Sequence, residues 1–439
     1  MTIRRAVLLM GPRRVGKTVL LRHVVQRLID SGVPPRRVCY VSVDHPLYNG
    51  LGLEQLLDSF RDAAGVDPAD GPLYVLFDEI QHLREWEVHL KSLVDTHADV
   101  RLVASGSAAA ALKPKSRESG AGRFTEFLLP PLTFHEYVDL RGRTDALFYI
   151  QPEGVRAKAV DDVNREFVEY LNFGGYPELA LNPLAQKDPS RFVKEDVIDK
   201  VLLRDLPGLY GIQDVQELNS LFTMLAFNTG SEVSLEALSQ RSHVAKNTLK
   251  RYIEYLEAAF LIKVVHRVDH SARRFQRASA FKVYLTNPAM FSALFTPVGA
   301  DDPVTPRLVE TAVFSQWLHS PELVHYARWD SGEVDLVWLD ALQRPTNALE
   351  VKWTDRAFDD PSEVKPLIAF CLKHGVPRPM VATRTATGVK TVGGLTVGYL
   401  PASVYSFVIS RELVSRRNEA VHAAVREIAQ TQSSRQEGT

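Results

Sequence analysis

Cysteine is scarce in this chain. There are two in 439 residues, Cys39 and Cys371, far apart and each inside an apolar segment. That excludes a disulfide framework or a zinc site and fits a reducing compartment, so a cytoplasmic location is expected. Long apolar runs are also lacking. None approaches the roughly 20 residues needed to span a bilayer, so no membrane association is expected. The start carries two arginines but reaches a glycine loop too soon to hold a secretory signal. Net charge is close to zero, with 52 Lys and Arg against 53 Asp and Glu. Whole-chain charge therefore does not point to nucleic acid, and any basic surface must be local. What remains is ordinary for a globular protein, 45% hydrophobic and 24% charged. The length suits about two to four domains.

Against that background one motif stands out. Residues 11–18 read Gly-Pro-Arg-Arg-Val-Gly-Lys-Thr, a complete G-x-x-x-x-G-K-T phosphate-binding loop. It follows the apolar run Ala6–Met10 and precedes a helix-like stretch from Val19 to Ile29. In that context Gly11, Pro12, Arg13, Arg14, Val15, Gly16 and Val19 line the nucleotide, the non-proline residues offer backbone N–H groups to phosphate oxygens, and the helix N-terminus adds its positive end. Lys17 reaches the β- and γ-phosphates and the Thr18 hydroxyl ligates Mg²⁺. ATP and Mg²⁺ are the expected cofactors.

Short apolar runs recur at Val38–Val43, Leu73–Phe77, Arg101–Ser105 and Phe124–Leu129, alternating with helix-like segments. This is the pattern of a parallel α/β sheet. Asp78 ends the third run, where an acidic residue can hold Mg²⁺ through water, and Glu79 beside it can accept a proton from an attacking water. That adjacency favours hydrolysis over phosphoryl transfer to another substrate. The fourth run ends Ala104-Ser105-Gly106-Ser107, a hydroxyl-bearing strand tip. Ser105, or else Ser107, is the candidate to sense the γ-phosphate.

These segments, with Ala121-Gly-Arg-Phe-Thr-Glu-Phe-Leu-Leu-Pro-Pro-Leu-Thr-Phe-His-Glu-Tyr137, resemble a prokaryotic branch of the AAA+ ATPases related to archaeal-type and signal-transducing ATPases. The resemblance runs over nearly the whole chain. It implies that Gly11, Gly16, Lys17, Thr18, Asp78 and Glu79 bind and hydrolyse MgATP, that Ser105 is a sensor, and that Arg123 is an arginine finger or phosphate sensor, in cis or in trans. Relatives carry a helical segment before the first strand that helps enclose the base. Here only five residues precede it, so either the true start lies upstream or base recognition is weaker than phosphate binding.

Residues 136–215 read as helical with loops. Asn172-Phe-Gly-Gly-Tyr-Pro177 marks a tight turn. It is either a helix stop followed by a proline-initiated helix or, by the resemblance, the Gly-x-Pro motif of a helical lid, with Pro177 near the base. Leu203-Arg204-Asp205-Leu206 resembles a family Arg-Asp pair without an evident role. Residues 216–285 read as a winged helix. Ser234 caps a short helix, and the helix from Val244 to Phe260 offers Lys246, Asn247, Lys250 and Arg251. From Lys263 to Lys282 there are six Lys or Arg (263, 267, 273, 274, 277, 282) against one acid, Asp269. That is a candidate DNA-contacting wing, or else a solvated loop on a domain that only packs.

Between 286 and 410 four residues fall in order: Glu310 on a helix-like run, Asp335 on an alternating strand whose same face carries Glu333, then Glu350 and Lys352 two apart on the next. Asp335 and Glu350 can share a Mg²⁺, the Val351 carbonyl can complete the site, and Glu310 can join as a ligand. Lys352 then stands beside a metal-bound water. This resembles the PD-(D/E)XK nuclease superfamily, and Mn²⁺ is the alternative ion. The expected architecture is α/β: a P-loop ATPase core (1–135), a helical lid (136–215), a winged helix (216–285), a restriction-endonuclease-like α/β domain (286–410), then a helix and a disordered tail (411–439). The expected function is an ATP hydrolase acting on DNA through the winged helix and a metal-dependent nuclease-like domain. The alternative is a nucleotide-dependent scaffold for a protein partner, with that domain inactive. Oligomeric state stays open.

Overall fold

A computed structural model describes residues 5–48, 50–67, 71–107, 122–268, 280–330 and 332–436, and the side chains of these up to residue 419. The chain divides into two compact units. The first comprises 1–130, 196–218 and 252–261; the second comprises 131–195, 219–251 and 262–439. This differs from the sequential division expected above. The 136–215 segment is shared between the units, because its last part carries side chains that bond to the phosphate loop.

The first unit is built on five parallel strands: β1 (Ala6–Gly11), β2 (Val38–Ser42), β3 (Leu73–Asp78), β4 (Val100–Ser107) and β5 (Phe124–Leu128), in the order β2-β3-β4-β1-β5. All five expected strands form. Their apolar runs are nearly continuous because parallel strands with helices packed on them are buried on both faces. In β3, Leu73, Val75, Leu76 and Phe77 are all buried. Helices α1 (Lys17–Asp30), α2 (Leu53–Ala64) and α3 (Trp86–Thr96) belong to this unit, and Leu53, Leu57, Leu90 and Leu93 join its core. β1 meets β5 so closely that a Cβ on Gly11 would lie 2.5 Å from the Leu129 carbonyl oxygen. Only glycine fits there.

The second unit holds a short hairpin, β6 (Phe148–Gln151) with β7 (Gly154–Ala157), inside the segment read as helical. Its main sheet has nine strands: β8 (Glu232–Ser234), β9 (Ile262–Val268), β10 (Ala280–Leu285), β11 (Val324–Trp329), β12 (Gly332–Leu339), β13 (Pro345–Val351), β14 (Met380–Thr383), β15 (Gly388–Val392) and β16 (Leu395–Pro401). Their order is β15-β16-β14-β13-β12-β11-β9-β10-β8. The two strands expected for a separate wing, β9 and β10, together with β8, thus extend the nuclease-like sheet through a parallel β9–β11 pairing, Tyr326 with Arg267 and Ala327 with Val268. Helix Lys365–His374 covers this sheet with Leu367 and Phe370 fully buried.

The turn at 172–177 takes the first of its two expected readings, a helix stop followed by a proline-initiated helix. Gly175 has φ +84°, and a Cβ there would collide with Asn287. The Gly174-Gly175 turn is therefore required by packing, and Pro177 opens the short helix Pro177–Leu181. At the far end the helix Ala402–Gln436 runs through most of the segment expected to be a disordered tail. No glycine or proline interrupts the sequence before Gly438.

Candidate functional site

The phosphate loop joins β1 to α1 at the C-terminal end of the parallel sheet. Gly16 sits at φ +99° at the start of α1, a left-handed conformation that favours glycine. Lys17 is buried, and its Nζ donates to the carbonyl oxygens of Gly11 at 3.0 Å and Pro12 at 2.8 Å. Burial lowers the Lys17 pKa, opposed by the nearby charges of Glu79 and Asp78. Arg14 also sits in the left-handed region, at φ +62°.

Two helical turns hold this loop from outside. Arg13 makes a two-pronged contact to Asp205, Nε to Oδ2 and Nη2 to Oδ1, both at 2.8 Å. This bond raises the Arg13 pKa. Arg14 Nη2 donates to Asp196 Oδ2 at 2.5 Å, and Lys200 Nζ to Asp196 Oδ1 at 2.6 Å. Asp205 is the acid of the Arg-Asp pair whose role the sequence left open.

Asp78 ends β3, one strand removed from β1 with β4 between. Its carboxylate is 1% exposed. Tyr40 on β2 donates its hydroxyl to Oδ2 at 2.7 Å, and Ser105 on β4 donates to Oδ1. Burial and this bond push the Tyr40 pKa up to about 12, so the phenol keeps its proton. Glu79 takes a left-handed backbone, φ +54°, and its N–H faces Asp78 Oδ1 and Ser105 Oγ, each at 3.2 Å. Gln81 Nε2 donates to Glu79, while Gln81 Oε1 accepts from the Ser107 N–H at 3.1 Å. Ser105 is thus turned to the acidic strand end, as a positioning residue for Asp78. Tyr40 and Gln81 were missed. A lone tyrosine in the apolar strand Val38–Ser42 was the available signal.

Arg123 does not meet the phosphate loop of its own chain. Phe124 pairs with Ala6 at the start of β1, and Gly11 lies five residues further along. At about 3.3 Å per residue that is roughly 16 Å. The Arg123 side chain, at the edge away from the loop, pairs with Asp95 at 3.0 Å. Pro177 belongs to the second unit.

In that second unit the four C-terminal candidates do come together. Glu310 projects from helix Thr305–Gln316, Asp335 from β12, and Glu350 and Lys352 from the end of β13 and just beyond it. Asp335 Oδ2 accepts from the Val351 N–H at 2.9 Å, and Lys352 Nζ pairs with Glu350 Oε1 at 2.8 Å. Burial and the Asp335 charge push the Glu350 pKa up to about 8; the same causes push Glu310 up to about 7. Glu350 Oε2 is buried without a hydrogen-bond partner.

A residue counted with the basic wing completes the cluster. Lys282 lies on β10, two residues from Tyr284, so both share a face. Its Nζ lies 2.6 Å from Glu333 Oε1, 3.0 Å from Glu310 Oε1 and 3.3 Å from Asp335 Oδ1. The Tyr284 hydroxyl donates to Glu310 Oε1 at 2.5 Å. Lys282 is therefore no phosphate contact of a wing. The signal was a single charge in an otherwise apolar strand, Ala-Phe-Lys-Val-Tyr-Leu. Among the described residues, no group of three or more His, Cys, Asp or Glu has an arrangement that could hold a metal ion. The acids converge, and the ammonium of Lys282 lies among them.

Upstream, helix Leu235–Ser242 is capped by Ser234, and His243 turns the chain at φ +59° into helix Lys246–Ala258. Arg241, His243, Lys246, Asn247, Lys250 and Arg251 are all exposed. Lys246 pairs with Glu236. The wing arginines 273, 274 and 277, and Asp269, lie outside the described residues.

Comparison with known proteins agrees with the geometry of the first unit. Residues 3–138 match the family described as AAA domain, and residues 164–302 match a domain of unknown function (DUF8612). An uncharacterized protein of Haemophilus influenzae is 24% identical over 74% of this chain and 78% of its own length. One from Methanocaldococcus jannaschii is 26% identical over 70% of this chain and 66% of its own length, just under two thirds. Among solved structures, that of the Aeropyrum pernix Orc1 protein in complex with DNA covers 69% of this chain and 88% of its own, with 18% identity and a TM-score of 0.30. The Saccharomyces cerevisiae Hsp104-ADP complex covers 59% and 36%, with 15% identity and a TM-score of 0.27. Scores this low transfer nothing between the proteins. The family match and the parallel sheet with its phosphate loop make residues 3–138 an AAA domain of the P-loop ATPase type.

Proposed function

We propose that this chain hydrolyses ATP in its first unit and binds DNA through its second, with the C-terminal sheet gripping rather than cutting. The observation that carries the reading is the convergence of the phosphate loop with a buried, doubly hydrogen-bonded Asp78 and an adjacent Glu79 at one end of a parallel sheet. The residues fit MgATP. A flexible glycine pair, a buried ammonium and a polarised carboxylate are the donor set that a triphosphate and its cation require. Bound Mg²⁺ supplies charge neutralisation at the β- and γ-phosphates. Lys17 adds a second positive charge there, Thr18 and Asp78 hold the ion, and the loop N–H groups orient the phosphates. Tyr40 and Ser105 keep Asp78 aimed, and Glu79 accepts the proton of the attacking water at its carboxylate. Gln81 fixes which way Glu79 points.

The DNA half of the reading rests on the helix-turn-helix. Its second helix exposes Lys246, Asn247, Lys250 and Arg251 near its start, the end that enters a major groove. A metal-dependent nuclease is the second reading, favoured by the Glu350–Lys352 pair beside Asp335. One experiment separates them. The purified chain is incubated with single- and double-stranded DNA and Mg²⁺ or Mn²⁺, with and without ATP, beside Lys17→Ala, Glu79→Gln and Lys352→Ala. We expect ATP hydrolysis abolished by Lys17→Ala and slowed at least about 100-fold by Glu79→Gln, as for loss of a proton acceptor. DNA retention should weaken steeply with salt, and the DNA should stay intact. DNA cleavage lost in Lys352→Ala would establish the nuclease instead.

A further inference from the structure

The ammonium of Lys282 donates to two carboxylates, Glu310 at 3.0 Å and Asp335 at 3.3 Å, and forms an ion pair with a third, Glu333, at 2.6 Å. The ammonium thus occupies the space between the three acids. The Lys282 side chain is 3% exposed. Its strand is hydrogen-bonded on both sides, Lys282 opposite Val265 of β9 and Glu232 of β8, so the stem is anchored in mid-sheet. The Tyr326 ring lies 5.5 Å from Nζ, a cation–π distance. Most of the acceptors are already engaged, Glu350 Oε2 excepted. Asp335 Oδ2 takes the Val351 N–H, Glu310 Oε1 also takes the Tyr284 hydroxyl, and Glu350 Oε1 takes Lys352. A divalent ion among these oxygens would stand within a few ångströms of a fixed positive charge, in surroundings too dry to screen it.

We infer that Lys282 is the resident cation of this cluster. Its ammonium, held by Glu310, Glu333 and Asp335, stands in for a divalent metal that Glu310, Asp335 and Glu350 would otherwise hold, and the site takes up Mg²⁺ or Mn²⁺ only when that ammonium is removed. The cluster then works as an internal clamp that ties β10, the strand next to the helix-turn-helix, to β12 and to helix Thr305–Gln316. This inference concerns the carboxylate cluster alone and is independent of ATP hydrolysis and of DNA binding.

The test is a Mn²⁺ titration of the full-length protein without nucleotide or DNA, followed by the loss of the free-Mn²⁺ electron paramagnetic resonance signal. It is run on wild type, Glu350→Gln, Lys282→Met and Lys282→Met/Glu350→Gln. Expected is no Glu350-dependent binding in wild type up to about 1 mM, the weak limit for oxygen-ligand sites. Lys282→Met should gain one Mn²⁺ per chain, at least about tenfold tighter than that limit, and lose it again in the double variant. Mn²⁺ should also raise the melting temperature of Lys282→Met and not that of wild type. Two results overturn the inference: wild-type Mn²⁺ binding that Glu350→Gln abolishes, or a folded Lys282→Met that gains none. If Lys282→Met does not fold, Lys282→Gln takes its place. If neither folds, the wild-type titration alone decides.

Discussion

Single residues in this protein show their roles through what they bond to rather than through their type. Ser105 is a hydroxyl at a strand tip, as expected, but its hydrogen bond goes to Asp78. Lys282 counts as basic surface until its three partners are seen. The same reasoning gives a pH prediction. Glu350 and Glu310 titrate in the folded protein near 8 and 7, above the ordinary 4.5, because burial disfavours their charged forms. Between about pH 4.5 and 8 the folded state therefore holds more protons than the unfolded chain, and stability falls as pH rises through that window. The two acids share this effect, since their charges interact. Melting of the second unit should shift downward from pH 5.5 to pH 8.5. Glu350→Gln, which keeps the neutral shape, should flatten that shift. An unchanged slope would remove Glu350 as its source.

At the scale of elements, the phosphate loop is not a free-standing motif. It is held at Arg13 by Asp205 and at Arg14 by Asp196, both on helical turns about 190 residues downstream. A two-pronged arginine–carboxylate contact fixes orientation as well as distance. Asp205→Ala should leave Arg13 without its partner and cost about 1–2 kcal/mol, less than a fully buried pair because Arg13 is partly exposed. We expect a lower melting temperature and a several-fold higher KM for ATP, with Asp205→Asn intermediate since it keeps one acceptor. Equal kinetics in all three proteins would mean that the clamp does not set the loop. The nine-stranded sheet carries the complementary lesson. Strands that read as a wing pair with β11 because β9 presents a free edge to it, and no local sequence pattern encodes a partner some 60 residues away.

Across the whole molecule, sequence order and compact units diverge. The first unit needs 1–130 together with 196–218 and 252–261. Within it Tyr210 stacks on Tyr255, ring centroids 4.1 Å apart. A fragment ending at residue 138 contains the full AAA match but lacks Asp196, Asp205 and both tyrosines. We expect that fragment to melt at a lower temperature and less cooperatively than the intact chain, followed by circular dichroism. Cooperative melting at the full-length temperature would show that the downstream turns contribute nothing. Among the described residues no helix is long and apolar enough to cross a membrane.

The sequence by itself determined the elements whose signals are local. The glycine loop, five apolar runs and the acidic end at Asp78 were legible because phosphate binding and two-sided burial each demand particular residues at short spacing. Glu310, Asp335, Glu350 and Lys352 were legible as an ordered set for the same reason, since strand alternation fixes which side chains share a face. Tertiary structure alone decided what those groups face. Tyr40 and Ser105 reach Asp78 from neighbouring strands, Asp205 reaches Arg13 across 192 positions, and Lys282 enters the carboxylate cluster from a strand assigned elsewhere. Those pairings depend on strand order and sheet edges, which are set by long-range packing free energy and leave no periodic trace in the chain.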